Sequence, residues 1–186
     1  VPAAAQLQLG SVTCPNSNNP VSVPAGSDLA AVAATPGTTY QLSSGTYWMN
    51  SSLTLASDST CYLGASRDTT TILMNTPPGA AGLQVQGIGT GLGLQGLTLD
   101  GQQQAAGISV AVNSQLGMAG VGMANLQAPG ALLLSDNAGV VTLTDVRFAN
   151  NTAADDSAVV AVNQNANWQW QDVSACCCWP GMPAWP

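Results

Sequence analysis

The chain contains no histidine, no lysine and no glutamate. Its 186 residues carry two bases, Arg67 and Arg147, against nine acids, all of them Asp, for a formal charge of −7. Each absence removes a class of function. Two bases cannot neutralise a run of phosphates, so no nucleic-acid partner is expected. An anionic membrane surface is disfavoured for the same reason. Without His, the usual nucleophilic triad cannot be assembled, and no imidazole is available to a metal. No run approaches the roughly 18 apolar residues of a spanning helix, so no membrane insertion is expected. An initiator Met and a basic leader are also missing, which reads as a mature or partial product.

What is present is repetition. Val141-Thr142-Leu143-Thr144-Asp145-Val146-Arg147-Phe148 alternates apolar and polar residues, then stops at Asn150-Asn151-Thr152. That pattern predicts a strand with one buried face, ended by a turn. Leu94–Gly101, Val121–Ala128 and Trp168–Ala175 repeat it. Short apolar runs lie between them at Leu83–Val85, Ile108–Val112, Leu132–Leu134 and Ala158–Val162. Each series returns after roughly 20 to 29 residues, the range of stacked repeats. Two short strands per period, with no helical pattern between, predict an all-β parallel β-helix whose coils bury their apolar faces on one another. A leucine-rich repeat has a similar period, but its regular Leu/Asn signature is missing.

Taken in order, residues 1–25 form a Pro/Asn/Ser-rich extension with one alternating patch, in which Ala5, Leu7 and Leu9 share a face. It reads as a frayed terminus, as the first strand of the body, or as an assembly strand donated to a neighbouring subunit. Ser27-Asp28-Leu29 opens a short Ala-rich helix stopped by Pro36-Gly37, predicted to cover the open end of the solenoid. Short strands follow at 39–42, 45–49, 52–55, 60–65 and 70–73. The glycine-rich run Gly87–Gly93 has neither a Lys nor a following helix and reads as a flexible coil turn. The β-helix domain is placed at 26–175, and 176–186 is a Cys/Trp/Pro-rich tail unable to form regular helix or central strand.

Five cysteines are an odd number. Cys14 and Cys61 are candidates for a bridge tying the N-terminal segment to the body, and Cys176, Cys177 and Cys178 for further disulfides. The triple fits no zinc spacing, so no metal is expected. Asn50-Ser51-Ser52 and Asn150-Asn151-Thr152 satisfy the N-glycosylation pattern, and glycans would keep an almost uncharged surface soluble. Together these point to an extracellular, secreted or cell-surface protein.

The series Asp28–Val32, Pro36–Leu42, Gly45–Tyr47, Leu53–Leu55, Tyr62–Ala65 and Thr70–Leu73 resembles the N-terminal portion of pectin-lyase-like right-handed parallel β-helix proteins. Phe148-Ala149-Asn150-Asn151-Thr152-Ala153 is similar to the Phe-x-x-Asn repeats of polymorphic outer-membrane β-helix proteins, with Asp156-Ser157 where Gly-Gly is usual. The resemblance spans roughly residues 26–175 and implies a right-handed coil. It does not imply one activity, because the fold hosts lyases, hydrolases, adhesins and stalks.

Lyases of this kind cluster carboxylates for Ca²⁺ beside a basic residue, and the related hydrolases pair two carboxylates. Here Asp100, Asp136, Asp145, Asp155 and Asp156 fall in different coils, apart from the neighbours Asp155 and Asp156, which read as a solvated turn. No catalytic residue, metal site or cofactor is assigned. The reading is a non-enzymatic extracellular structural protein, a self-associating fibre or surface-layer subunit. The alternative is a glycan-binding, adhesive module using Trp48 or the late residues Trp168, Trp170, Trp179 and Trp185. A degenerate polysaccharide lyase or hydrolase is more distant.

Overall fold

The computed structural model describes residues 6–111, 113–127, 132–134, 139–152, 160–162 and 167–176. Over these residues the chain is an all-β parallel solenoid. Its strands fall into three columns. The first face stacks Val21–Val23, Thr39–Leu42, Ser59–Leu63 and Gly91–Gln95, then the first halves of Gln115–Ala124 and Val140–Ala149, then Asn167–Gln171. The second stacks Gly45–Met49, Thr70–Met74 and Thr98–Asp100, the second halves of the same two long strands, then Ser174–Cys176. The third stacks Leu53–Leu55, Ala81–Val85, Ala106–Val110, Leu132–Leu134 and Val160–Val162.

Register is what turns a degenerate repeat into a core. On the first face Tyr40, Tyr62, Leu94, Met118 and Leu143 occupy one buried column. On the second, Tyr47, Ile72, Leu99, Met123 and Phe148 do the same. Leu53, Leu83 and Ile108 close the third. All join one continuous hydrophobic cluster, in which a fully buried aliphatic or aromatic side chain contributes about 1.5–3 kcal/mol. A one-residue slip would turn each column outward, so burial fixes the pairing.

The face-to-face corners explain a departure from the sequence reading. Val141–Phe148 is not one flat strand. Thr144 and Asp145 are consecutive polar residues, so the alternation slips there, and Val146 and Phe148 point inward again with Val141 and Leu143. The slip is a left-handed residue. Gly96 (φ 59°), Gly120 (φ 61°), Asp145 (φ 48°) and Asp172 (φ 53°) hold the corner in successive coils. Glycine enters that region freely, and the short polar side chain of Asp tolerates it better than most.

The short helix is Leu29–Val32, with Asp28 Oδ1 accepting from the Ala30 amide at 3.1 Å. Leu29 and Ala33 lie in the main core while Val32 is exposed. The Tyr62 hydroxyl donates to the Ala33 carbonyl at 2.6 Å, and the Tyr62 ring stacks on Tyr40 with centroids 5.4 Å apart. Burial first, then the neighbouring Tyr40, pushes the Tyr62 phenol well above its ordinary pKa. No helix among the described residues is long and apolar enough to cross a membrane.

Candidate functional site

Two features outside the lumen tie successive coils together. The first is the N-terminal segment. Gln8–Leu9 pairs antiparallel with Val12–Thr13, and this hairpin lies across the outward side of the first face. Leu9, Val12, Cys14, Cys61 and Leu63 form a second core separate from the lumen. Cys14 and Cys61 are joined in a disulfide, their Cα atoms 5.6 Å apart.

The seat for the hairpin is made by missing side chains. Gly91, Gly93 and Gly117 belong to the adjacent strands beneath it. A Cβ on Gly93 would collide with the Cys61 sulfur, and one on Gly117 with the Leu9 carbonyl oxygen. Gly10 presses in turn on Thr142, one coil further on. The Ser11 hydroxyl reaches the Val140 carbonyl at 3.4 Å. Gly91 and Gly93, expected in a flexible turn, are therefore in a strand, and the space a side chain would fill is taken by Ser59 and Val12 at Gly91 and by Cys61, Leu9 and Cys14 at Gly93.

This places the residues read as an assembly strand. Leu9 is buried and Leu7 partly buried against the chain's own first face. The Leu7 carbonyl accepts from the Cys14 amide at 2.9 Å. Donation to a neighbour would require the hairpin to leave this seat. Ala5 lies outside the described residues. Val21–Val23, grouped by composition with the extension, is the outermost strand of the first face, with Val21 50% exposed.

The second feature is a polar ladder along the edge where the second face ends. Asn50, Asn75, Asn125 and Asn150 each follow the last paired residue of a coil. The Asn75 amide donates to Asn50 Oδ1 at 2.9 Å, and the Asn50 amide to Asp28 Oδ2 at 2.9 Å. In the coil between, the register carries Gln102 opposite Asn75 and Gly101 opposite Asn125, and Gln102 and Asp100 bridge the two. The Gln102 amide donates to Asn75 Oδ1, and the Asn125 amide donates to Asp100 Oδ1 at 3.1 Å. Asn151 adds a cross-coil pair, accepting from the Leu126 amide and donating to the Met123 carbonyl, each at 2.9 Å.

The repeat reading singled out the Asn150-Asn151 pair but not the ladder. Its signal is in the sequence: Asn50 and Asn75 are 25 residues apart, as are Asn125 and Asn150. Both sequons therefore sit on this one edge, and Asn50 and Asn150 are exposed. The Ser52 hydroxyl of the first sequon donates to the Ala81 carbonyl at 2.8 Å. Trp48, 37% exposed, shares the outward column of Leu73, Asp100, Ala124 and Ala149, two residues before Asn50.

The described aspartates of this region are spent on structure. Asp28 holds Ala30 and Asn50. Asp100 accepts from the Gln102 backbone amide and from Asn125. Asp145 pairs with Arg67, whose Nη1 lies 3.0 Å from its carbonyl and 3.1 Å from its carboxylate. Arg147 follows the corner and points outward from the second face. Asp136, Asp155, Asp156, Cys177, Cys178, Trp179 and Trp185 lie outside the described residues, as do the side chains of Cys176, Trp168 and Trp170. Among the described residues no group of three Cys, Asp, Glu or His side chains could hold a metal ion. Compared with known proteins, the chain matches no family model and no curated sequence.

Proposed function

We propose that this chain is a non-enzymatic extracellular structural unit that self-associates into a fibre or surface layer. In this reading the coil is right-handed and pectin-lyase-like, and the helix Leu29–Val32 caps its N-terminal mouth. The observation that carries it is cross-coil bracing. The disulfide-clipped hairpin and the amide ladder both use side chains to hold coils to one another, and three aspartates serve the same end. Such bracing suits a mechanical role, whereas general acid-base chemistry needs carboxylates left available to substrate. Among the described residues no strand pairs with the outer edge of Val21–Val23, which leaves it a template at one end of the first face. The disulfide and the two sequons favour an oxidising, extracellular setting.

Electron microscopy of native, unreduced material tests it. Filaments or sheets with a repeat of about 30 Å or slightly more, the height of the strand stack at about 4.8 Å per coil, are expected. Dispersed single particles at high concentration would overturn the assembly reading.

A second reading has its own support. Trp48 offers an aromatic face beside the Asn50 and Asn75 carboxamides, the combination a glycan-binding, adhesive module uses. Quenching of tryptophan fluorescence by a sugar, lost in Trp48→Ala, would favour it.

A further inference from the structure

A second polar site lies on the other side of the molecule, against the first face. The loop after Cys14 carries Asn16, Asn18 and Asn19, which with Gln6 and Thr38 wall an open cleft of about 510 Å³ beside Val21. We propose that this cleft binds the hydroxyl groups of a neutral oligosaccharide. The inference does not depend on the assembly reading, and it names a place distinct from the Trp48 face.

Three properties of the cleft converge on that ligand. Its polar side chains are carboxamides and hydroxyls, each able to donate and accept, as each sugar hydroxyl also is. Among the described residues no ionic side chain lines it, and the chain carries −7, so an acidic polysaccharide or a phosphate is repelled. Val21, half exposed, gives an apolar patch for the C–H face of a sugar ring. The volume falls within the range of small-ligand sites, about 300–1,000 Å³.

The loop is also held in place before any ligand arrives. Its first residue, Cys14, is fixed to Cys61. The buried Thr39 hydroxyl donates to the Pro15 carbonyl. The Ser17 hydroxyl accepts from the Leu7 amide at 2.8 Å, and the Asn19 amide closes a turn onto the Asn16 carbonyl at 2.9 Å. Asn16 itself is left-handed, with φ 51°. Groups fixed in advance lose little entropy on binding, which is how uncharged hydrogen bonds yield measurable affinity.

The test is titration calorimetry of the intact, oxidised protein with cellohexaose, mannohexaose and hexagalacturonate. Saturable binding of at least one neutral hexaose is expected, with hexagalacturonate weaker by about tenfold or more. Asn19→Ala and Thr38→Val, each checked for native near-ultraviolet circular dichroism, should weaken it about two- to tenfold, the loss of one hydrogen bond. Trp48→Ala should leave it unchanged. Binding of none of the neutral sugars, equal binding of the charged one, or full affinity in both loop variants would overturn the proposal. Loss of binding in Trp48→Ala alone would move the sugar to the Trp48 face. Filament formation by the native protein is read separately, so failure here leaves the assembly reading standing.

Discussion

The carbonyl oxygen of Leu9 occupies the place where a side chain on Gly117 would begin. The two residues are far apart in sequence, and their approach seats the hairpin. Gly117→Ala is therefore expected to lift the hairpin at a cost of about 1–3 kcal/mol, the range for overpacking. Amide exchange at Cys14, which donates to Leu7, should accelerate. Gly89→Ala is the control: it has open space around it and should cost only its left-handed conformation, about 1 kcal/mol.

Opening the disulfide should act on a larger scale. Cys14 and Cys61 are separated by 47 residues, so Cys61→Ser releases a long loop in the unfolded chain. A loss of about 2–5 kcal/mol is expected, read from the urea midpoint of oxidised protein against the variant. Dithiothreitol should lower the parent's midpoint by more than the variant's.

The corner at Asp145 separates conformation from charge. Asp145→Gly keeps the left-handed residue and removes only a partly exposed ion pair with Arg67, so stability should stay within about 1 kcal/mol of the parent. Asp145→Val loses the same pair and places a β-branched residue at φ 48°, costing about 1–2 kcal/mol more. Thermal unfolding of the two variants checks the order.

Tyr62 sets an alkaline limit. Its phenol is held neutral in the fold, above its ordinary value of 10.0, by burial and by Tyr40. Below that value both states keep the proton and its contribution is fully present. Above it the unfolded chain ionises while the fold does not, so stability falls as pH rises. Tyr62→Phe should soften that fall. Near neutral pH it should be less stable by about 0.5–1.5 kcal/mol, because the Ala33 carbonyl loses its donor. Urea titrations between pH 7 and 11 measure both effects.

Glycans on Asn50 and Asn150 should project from one edge, because both follow the second face. Peptide-N-glycosidase should lower the mass in two steps, and Asn50→Gln with Asn150→Gln should remove one step each.

The lumen was the legible part of this chain. Strands such as Thr39–Leu42, Gly45–Met49 and Leu132–Leu134 coincide with their alternation or apolar runs, because one face of each coil is buried. The corners were not, since a single left-handed residue such as Asp145 shifts the phase without leaving a gap in the apolar pattern. The glycines at 91 and 93 misled for a related reason. Their strand pairs with the coils on either side and is covered by side chains of a hairpin about eighty residues earlier, about which local pattern carries no information. The ladder was written at 25-residue spacing, but only register shows that Gln102 and Asp100 complete it across the coil with Gly101.

The hairpin also sets an order of events in the cell. Leu9, Gly10 and Val12 leave the ribosome long before Gly117 and Thr142, on which they come to rest, have been synthesised. At ordinary elongation speeds the interval is on the order of ten seconds. Two strands of two residues cannot persist alone in water for that time. The hairpin Gln8–Thr13 therefore takes its final seat only after the coils that carry Gly117 and Thr142 have formed.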